Sequence, residues 1–234
     1  MKFTISKKIL EKYPKLNIGI VAAKGIDNKG KNKEIDSLLK EAENFIRLNF
    51  VPEQLSKHEM ISPWRTSYSE FGSKPSKYHS SIEALMRRIL KGNSIPLINK
   101  LVNLYNYLSL KHLIPMGSDD LDKVDGDISL TFAEGSERFK PLGSPDITEN
   151  PDKNEIVYKD SSKILCRKWN WRDCDDTKIT EDSKNLIIYV EGLPPVTKKK
   201  LISVCKELAD LIKTFCKGEA KYYILNKANN SAEF

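Results

Sequence analysis

The hydrophobic period changes part-way along the chain, and that change limits what it can fold into more than any other feature. Up to about residue 110, apolar side chains recur at helical spacing; beyond it they alternate or form short runs. Ile35, Leu38, Leu39, Ala42, Phe45, Ile46 and Phe50 make one face of a predicted helix. Ser80-Ser81-Ile82-Glu83 matches a capping box, in which hydroxyl and carboxylate satisfy free backbone N–H groups reciprocally. It opens a helix carrying Ile82, Leu85, Met86, Ile89 and Leu90, which Lys91-Gly92 stops. After Pro96 another helix runs through Leu97, Ile98, Leu101, Val102, Tyr105 and Leu108. Nearer the start, Ser6 caps a short helix that Pro14 ends, and residues 18–23 form a buried strand.

In the second half the period is two. Ile128, Leu130 and Phe132 share one face over residues 127–133. Residues 155–158 and 163–166 read as a strand pair turning at Asp160-Ser161, and 186–190 as a further strand. A last helix spans about 197–216, before a strand near 222–225. This pattern predicts an α+β fold, with helices mainly from the first half packed on a mixed or antiparallel sheet from the second. The polar stretch 143–154 is a loop between strands, and no repeat is present, so residues 1–234 are expected to form one domain.

With 39% hydrophobic residues in 234, the chain can bury a core without disulfides or a metal. Its four cysteines, Cys166, Cys174, Cys205 and Cys216, show no C-x-x-C spacing and are expected to be free thiols. The three histidines form no ligand cluster, so neither metal nor cofactor is expected. Asp119, Asp120, Asp122, Asp125 and Asp127 invite a calcium reading. However, an EF-hand loop from Asp120 would place Val124, Asp125 and Thr131 where a ligand, a glycine and a glutamate are needed. No run approaches the roughly 20 apolar residues of a membrane span. The start is charged from Lys2 and lacks a signal-peptide core, so the cytoplasm is the expected location. A net charge of +7 favours a polyanionic partner, although lysine-rich surfaces also serve solubility.

One segment carries a family resemblance. Asn99-Lys100-Leu101-Val102-Asn103-Leu104-Tyr105-Asn106-Tyr107-Leu108 is followed by Pro115-Met116-Gly117-Ser118-Asp119-Asp120-Leu121-Asp122-Lys123. It resembles the N-x-V-D-V-T-N-Y and Q-P-M-H-A-F-D-L-D-K segment of the editing domain in phenylalanyl-tRNA synthetase beta subunits, the B-three/four domain. Glu134-Gly135-Ser136-Glu137, residues 156–160 and Ile188-Tyr189-Val190-Glu191 continue the likeness in order, giving a synthetase-like core over about 93–192. The chain is similar still to free-standing proteins of this domain, through Trp64-Arg65-Thr66-Ser67-Tyr68-Ser69-Glu70-Phe71-Gly72 and Cys166-Arg167-Lys168-Trp169-Asn170-Trp171-Arg172. The resemblance leaves no room for a synthetase's own catalytic domain, so tRNA charging is not expected.

The resemblance implies a cytoplasmic deacylase acting in trans on mischarged tRNA at its aminoacyl end, loosely associated with a synthetase. The alternative is a non-catalytic module that binds tRNA or an amino acid; a regulatory or structural role without RNA is a third reading. The family's water-binding asparagine falls on Asn106 and its recognition glutamate on Glu191, while its histidine falls on Gly117. Ser118 and Asp119 are then the neighbouring groups able to polarise water. Where synthetases have a glycine-rich stretch, this chain has Trp169, Trp171 and Arg172, so the pocket either accepts a smaller group or has closed; Trp169 or Trp171 is expected to floor it and Arg172 to meet a carboxylate or phosphate. The tryptophans alternate, so on a strand they would point the same way, and core packing accounts for at least one. Asn103 shares a helical face with Asn106 and joins the substrate-binding candidates, although two surface asparagines would look the same. Arg65, Tyr68 and Lys74 are candidates for RNA contact by charge and stacking, which a solvated helix face explains about as well.

Overall fold

In the computed structural model, which describes Met1–Phe234, the strands form two sheets and not one. In chain order the elements are β1 (Lys2–Ile5), α1 (Lys7–Lys12), β2 (Asn17–Lys24), α2 (Lys33–Asn49), α3 (Pro52–Leu55), α4 (Ser62–Glu70), α5 (Ser81–Leu90) and α6 (Lys100–His112). Then follow β3 (Met116–Asp120), a 3-10 turn (Leu121–Lys123), β4 (Ile128–Phe132), β5 (Ile156–Lys159), β6 (Ile164–Arg167) and β7 (Arg172–Asp173). The chain ends with β8 (Leu186–Gly192), α7 (Lys198–Cys216), β9 (Glu219–Leu225) and β10 (Ser231–Glu233). The first sheet has the order β10-β1-β4-β5-β6-β7 and the second β3-β8-β2-β9. All pairs are antiparallel except β1 with β4.

The fold is α+β, but both sheets draw on the first half of the chain. β1 is too short to show a period, and β3 (Met-Gly-Ser-Asp-Asp) is too polar to look like a strand. Its acids are satisfied by other elements: Thr177 and Tyr189 donate to Asp119, and Ser183 donates to Asp120. α4 lies in a stretch where the sequence shows no clear helical period.

Asn32, Ser80, Asn99 and Thr197 cap α2, α5, α6 and α7 with their side chains. Because Asn99 is the cap, α6 starts at Lys100, and Leu97 and Ile98 lie exposed ahead of it. Only half of the expected capping box forms. The Ser80 hydroxyl accepts from Glu83 N, but the Glu83 carboxylate turns to Arg65 at 2.7 Å and Arg87 at 2.8 Å. Ser6 precedes α1 without making a side-chain cap.

β8 sits between two cores. Leu186, Ile188 and Val190 face α6 and α7, while Ile187 and Tyr189 face the first sheet, as strand alternation requires. Gly19 lets α7 seat on β2, since a Cβ there would collide with the Cys205 sulfur. All four cysteines are free and buried. No helix is long and apolar enough to cross a membrane.

Candidate functional site

The two tryptophan motifs meet in space. The turn joining β6 to β7 holds Lys168 and Trp169 at φ 47° and 66°, left-handed conformations that cost about 1–3 kcal/mol each. Ion pairs hold it there: Arg167 donates to both oxygens of buried Glu155 at 2.9 and 2.8 Å, and Lys168 Nζ to Glu155 at 2.9 Å and to exposed Asp152 at 2.6 Å. The turn drives Trp169 fully into the core, edge-on to Trp64 at 5.2 Å and Tyr13 at 5.0 Å. From α4, the Tyr68 hydroxyl donates to Asn170 Oδ1 at 2.9 Å. The Asn170 amide in turn donates to Glu191, as does the Tyr158 hydroxyl. The first motif thus orients the second, and the second positions Glu191.

Between the sheets this leaves a narrow cleft with a free volume of about 50 Å³. Its inner wall carries Tyr158, Trp169, Asn170, Tyr189 and Glu191, and its outer part Ser81, Gly117, Trp171 and Asp173. Those four outer residues are half-buried, so the cleft reaches solvent between them. A cavity that binds benzene measures about 150 Å³, so this one holds a few waters or a small group and no aromatic ring.

The cleft is acidic. Asp119 accepts from Thr177 at 2.5 Å and Tyr189 at 3.0 Å, yet burial raises its pKa to about 7. Burial likewise pushes Glu191 up to about 7, against the hydrogen bonds from Asn170 and Tyr158. Asp173 is raised by burial too, against the nearby Cys166 thiol and Arg172; its carboxylate accepts no hydrogen bond, since the thiol donates to the Arg167 carbonyl at 3.8 Å. Two buried donors go unused: Ser81 Oγ in the first turn of α5, and the indole Nε1 of Trp169, which lies near Glu191 without hydrogen-bond alignment. No cluster of His, Cys, Asp and Glu has metal-holding geometry.

Of the residues singled out in the sequence, Gly117, Asp119, Trp169, Trp171 and Glu191 line the cleft. The others lie elsewhere. Ser118 points to the opposite face of β3, because neighbours on a strand alternate. Asn106 is half-buried on α6, which packs on the far face of the second sheet, and it does not line the cleft. Asn103 is structural: it accepts from Ile98 N at 2.9 Å and donates to Asp36 at 3.1 Å. Arg172 is exposed and donates to the Leu142 carbonyl at 2.6 Å, outside the cleft. Arg65 is held by Glu83 and the Pro75 carbonyl. Tyr68 is buried and cannot stack on a base; Lys74 is exposed.

The tryptophans also depart from expectation. They belong to a turn, so Trp169 enters the core while Trp171 packs edge-on to Tyr78 at 4.7 Å. The cleft residues not picked out as candidates in the sequence are Ser81, Met116, Tyr158, Cys166, Asn170, Asp173 and Tyr189. Asn170 lies inside a quoted motif and Asp173 directly follows it; Ser81 is masked by the neighbouring cap. Gly117 faces Asp173 across the opening, since a Cβ there would lie 3.8 Å from Asp173 Oδ1.

A family model described as the B3/4 domain matches residues 63–217. The chain belongs to the B3/4 domain family. The matched span of this B3/4 protein runs from α4 to the end of α7 and contains every cleft residue, a wider extent than the 93–192 core expected from the motifs. No curated protein matches the chain. Among solved structures it is similar to an N-terminal fragment of the phenylalanyl-tRNA synthetase beta-subunit from Pyrococcus horikoshii. The identity is 13% and the TM-score 0.47, over 93% of this chain and 49% of that one. The chain thus spans about half the length of that fragment.

Proposed function

We propose that this B3/4 protein, taking residues 1–234 as one unit, is a trans-acting deacylase that removes a small aminoacyl group from tRNA. The observation that carries the reading is the cleft: acidic, open to solvent, and too small for an aromatic side chain. An aminoacyl ester is already reactive, so a held water and a stabilised oxyanion suffice for its hydrolysis. Ser81 brings an unpartnered hydroxyl at the N-terminus of α5, where the helix dipole favours developing negative charge. A carboxylate of the cleft takes the proton of the attacking water.

Outside the opening, Trp171 and Tyr78 are half-buried beside exposed Lys74 and Lys77, with Lys77 Nζ 5.2 Å from the Tyr78 ring. Here the terminal base of tRNA would stack while the lysines meet phosphates. This moves the RNA contact from Tyr68 to Tyr78 and keeps Lys74.

The test is hydrolysis of a labelled aminoacyl-tRNA panel. Glycyl-, alanyl- or seryl-tRNA should turn over and tyrosyl-tRNA should not. Ser81→Ala should lower turnover by about 100-fold, the usual cost of one oxyanion donor. No turnover of any member would overturn the enzymatic reading. A non-catalytic tRNA-binding module is the second reading, favoured by Gly117 at the family's histidine position and by Asn106 lying outside the cleft. Salt-sensitive tRNA binding without turnover would select it.

A further inference from the structure

We infer that the cleft is a receptor for a primary ammonium group carried next to a carbonyl, with Asp173 as its anionic anchor. Asp119, Asp173 and Glu191 line one space of about 50 Å³, and no lysine or arginine lines it with them. Asp119 and Glu191 have their oxygens occupied, but by neutral donors: Thr177 and Tyr189 for the first, Tyr158 and Asn170 for the second. Neutral donors bring no positive charge into the cleft, so no internal cation competes with an incoming one. Asp173 differs from both. It faces the opening, opposite Gly117, and accepts no hydrogen bond: the adjacent Cys166 thiol donates to the Arg167 carbonyl, and Arg172, whose charge reaches it, donates to the Leu142 carbonyl. It is the carboxylate free to take an incoming charge.

The remaining walls fit the same guest. Tyr158, Tyr189 and Trp171 add aromatic lining, and a cation is attracted to aromatic rings as well as to carboxylates. Beside these acceptors stand two unused donors, the fully buried indole N–H of Trp169 and the Ser81 hydroxyl. A cation alone would leave both idle. An ammonium with a carbonyl one carbon away satisfies acceptors and donors together. The volume admits a side chain no larger than a methyl or hydroxymethyl group.

Identifying this guest as the α-ammonium of an aminoacyl ester rests on the proposed function; the ammonium site itself does not. The probes are glycinamide and its neutral analogue N-acetylglycinamide, titrated at constant ionic strength into the full chain. Binding is followed through tryptophan fluorescence, since Trp169 and Trp171 line the cleft. Glycinamide should saturate, and N-acetylglycinamide should bind at least about tenfold more weakly, a difference of about 1.4 kcal/mol. Asp173→Asn should weaken glycinamide by a similar factor, with urea unfolding as the control for its fold. Equal affinity for the two probes, absence of saturable glycinamide binding, or unchanged affinity in a folded Asp173→Asn variant would overturn the inference. If that variant does not fold, the comparison of probes on the parent chain decides.

The two readings fail separately. Glycinamide binding with no turnover of any aminoacyl-tRNA keeps the ammonium site and removes the deacylase. Equal turnover of glycyl-tRNA and N-acetylglycyl-tRNA keeps the deacylase and removes the ammonium anchor.

Discussion

The two faces of β8 are built from different materials. Toward α6 and α7 it presents Leu186, Ile188 and Val190, each fully buried among aliphatic neighbours. Toward the first sheet it presents Tyr189 and Glu191, buried as deeply, but tied to Asp119, Tyr158 and Asn170. Burying aliphatic surface stabilises the fold at about 25 cal/mol per Å². Burying carboxylates costs free energy that neutral hydrogen bonds recover only in part, which is why Asp119 and Glu191 titrate near 7. One strand therefore separates a face that supplies stability from one that lines the acidic cleft at stability's expense.

The sharpest way to break this contrast is to damage the aliphatic face. Ile188→Ala should lower unfolding free energy by about 2–5 kcal/mol in urea titrations while leaving glycinamide affinity unchanged. Lost affinity at full stability would show that the faces are not separable.

A smaller effect separates them by pH. Asp119 and Glu191 rise to about 7 from ordinary values of 3.8 and 4.5, so the native chain keeps protons that the unfolded chain has released. Their contribution is fully present below about pH 4 and is lost as the pH climbs through about 7. Glu191→Gln removes one of the two. Between pH 4 and pH 8 the stability of the variant relative to its parent should rise by about 1–3 kcal/mol. The Asn170 amide can still donate to the carbonyl oxygen of the introduced carboxamide, and the Tyr158 hydroxyl can turn to accept from its amide group. A difference that does not change with pH would mean that Glu191 is ionised throughout.

The smallest effect is expected at the edge. Arg172 is exposed and bonded to one loop carbonyl, so Arg172→Ala should change stability by less than about 0.5 kcal/mol and leave aminoacyl-tRNA turnover intact. Abolished turnover would return the guanidinium to the site.

Elements with a long period were legible in the sequence. α2, α5 and α7 follow from their apolar stripes and cap residues, and β4, β5, β6 and β8 from alternation or short apolar runs. β1 and β3 were not, the first because four residues define no period and the second because its strand is made of buried acids. Within the site, Glu191, Gly117 and both tryptophans came from motifs, since local order along the chain carries that likeness. Ser118, Asn103, Asn106, Tyr68 and Arg172 were misplaced. Whether a side chain faces a cleft depends on which side of a strand or helix its neighbours occupy, and spacing alone does not fix the side.

The sequence by itself determined the α+β class, the helix starts and the kinship with the B3/4 domain, because these depend on interactions within a few residues or on ordered motifs. Only the tertiary structure decided that the Trp64 and Trp169 motifs interlock, that Asp173 comes to face Gly117, and that three carboxylates share a space with no basic residue. Those facts arise from packing between segments about 100 residues apart or from opposite sheets. Burial, which changes a carboxylate's chemistry, exists only once such segments meet.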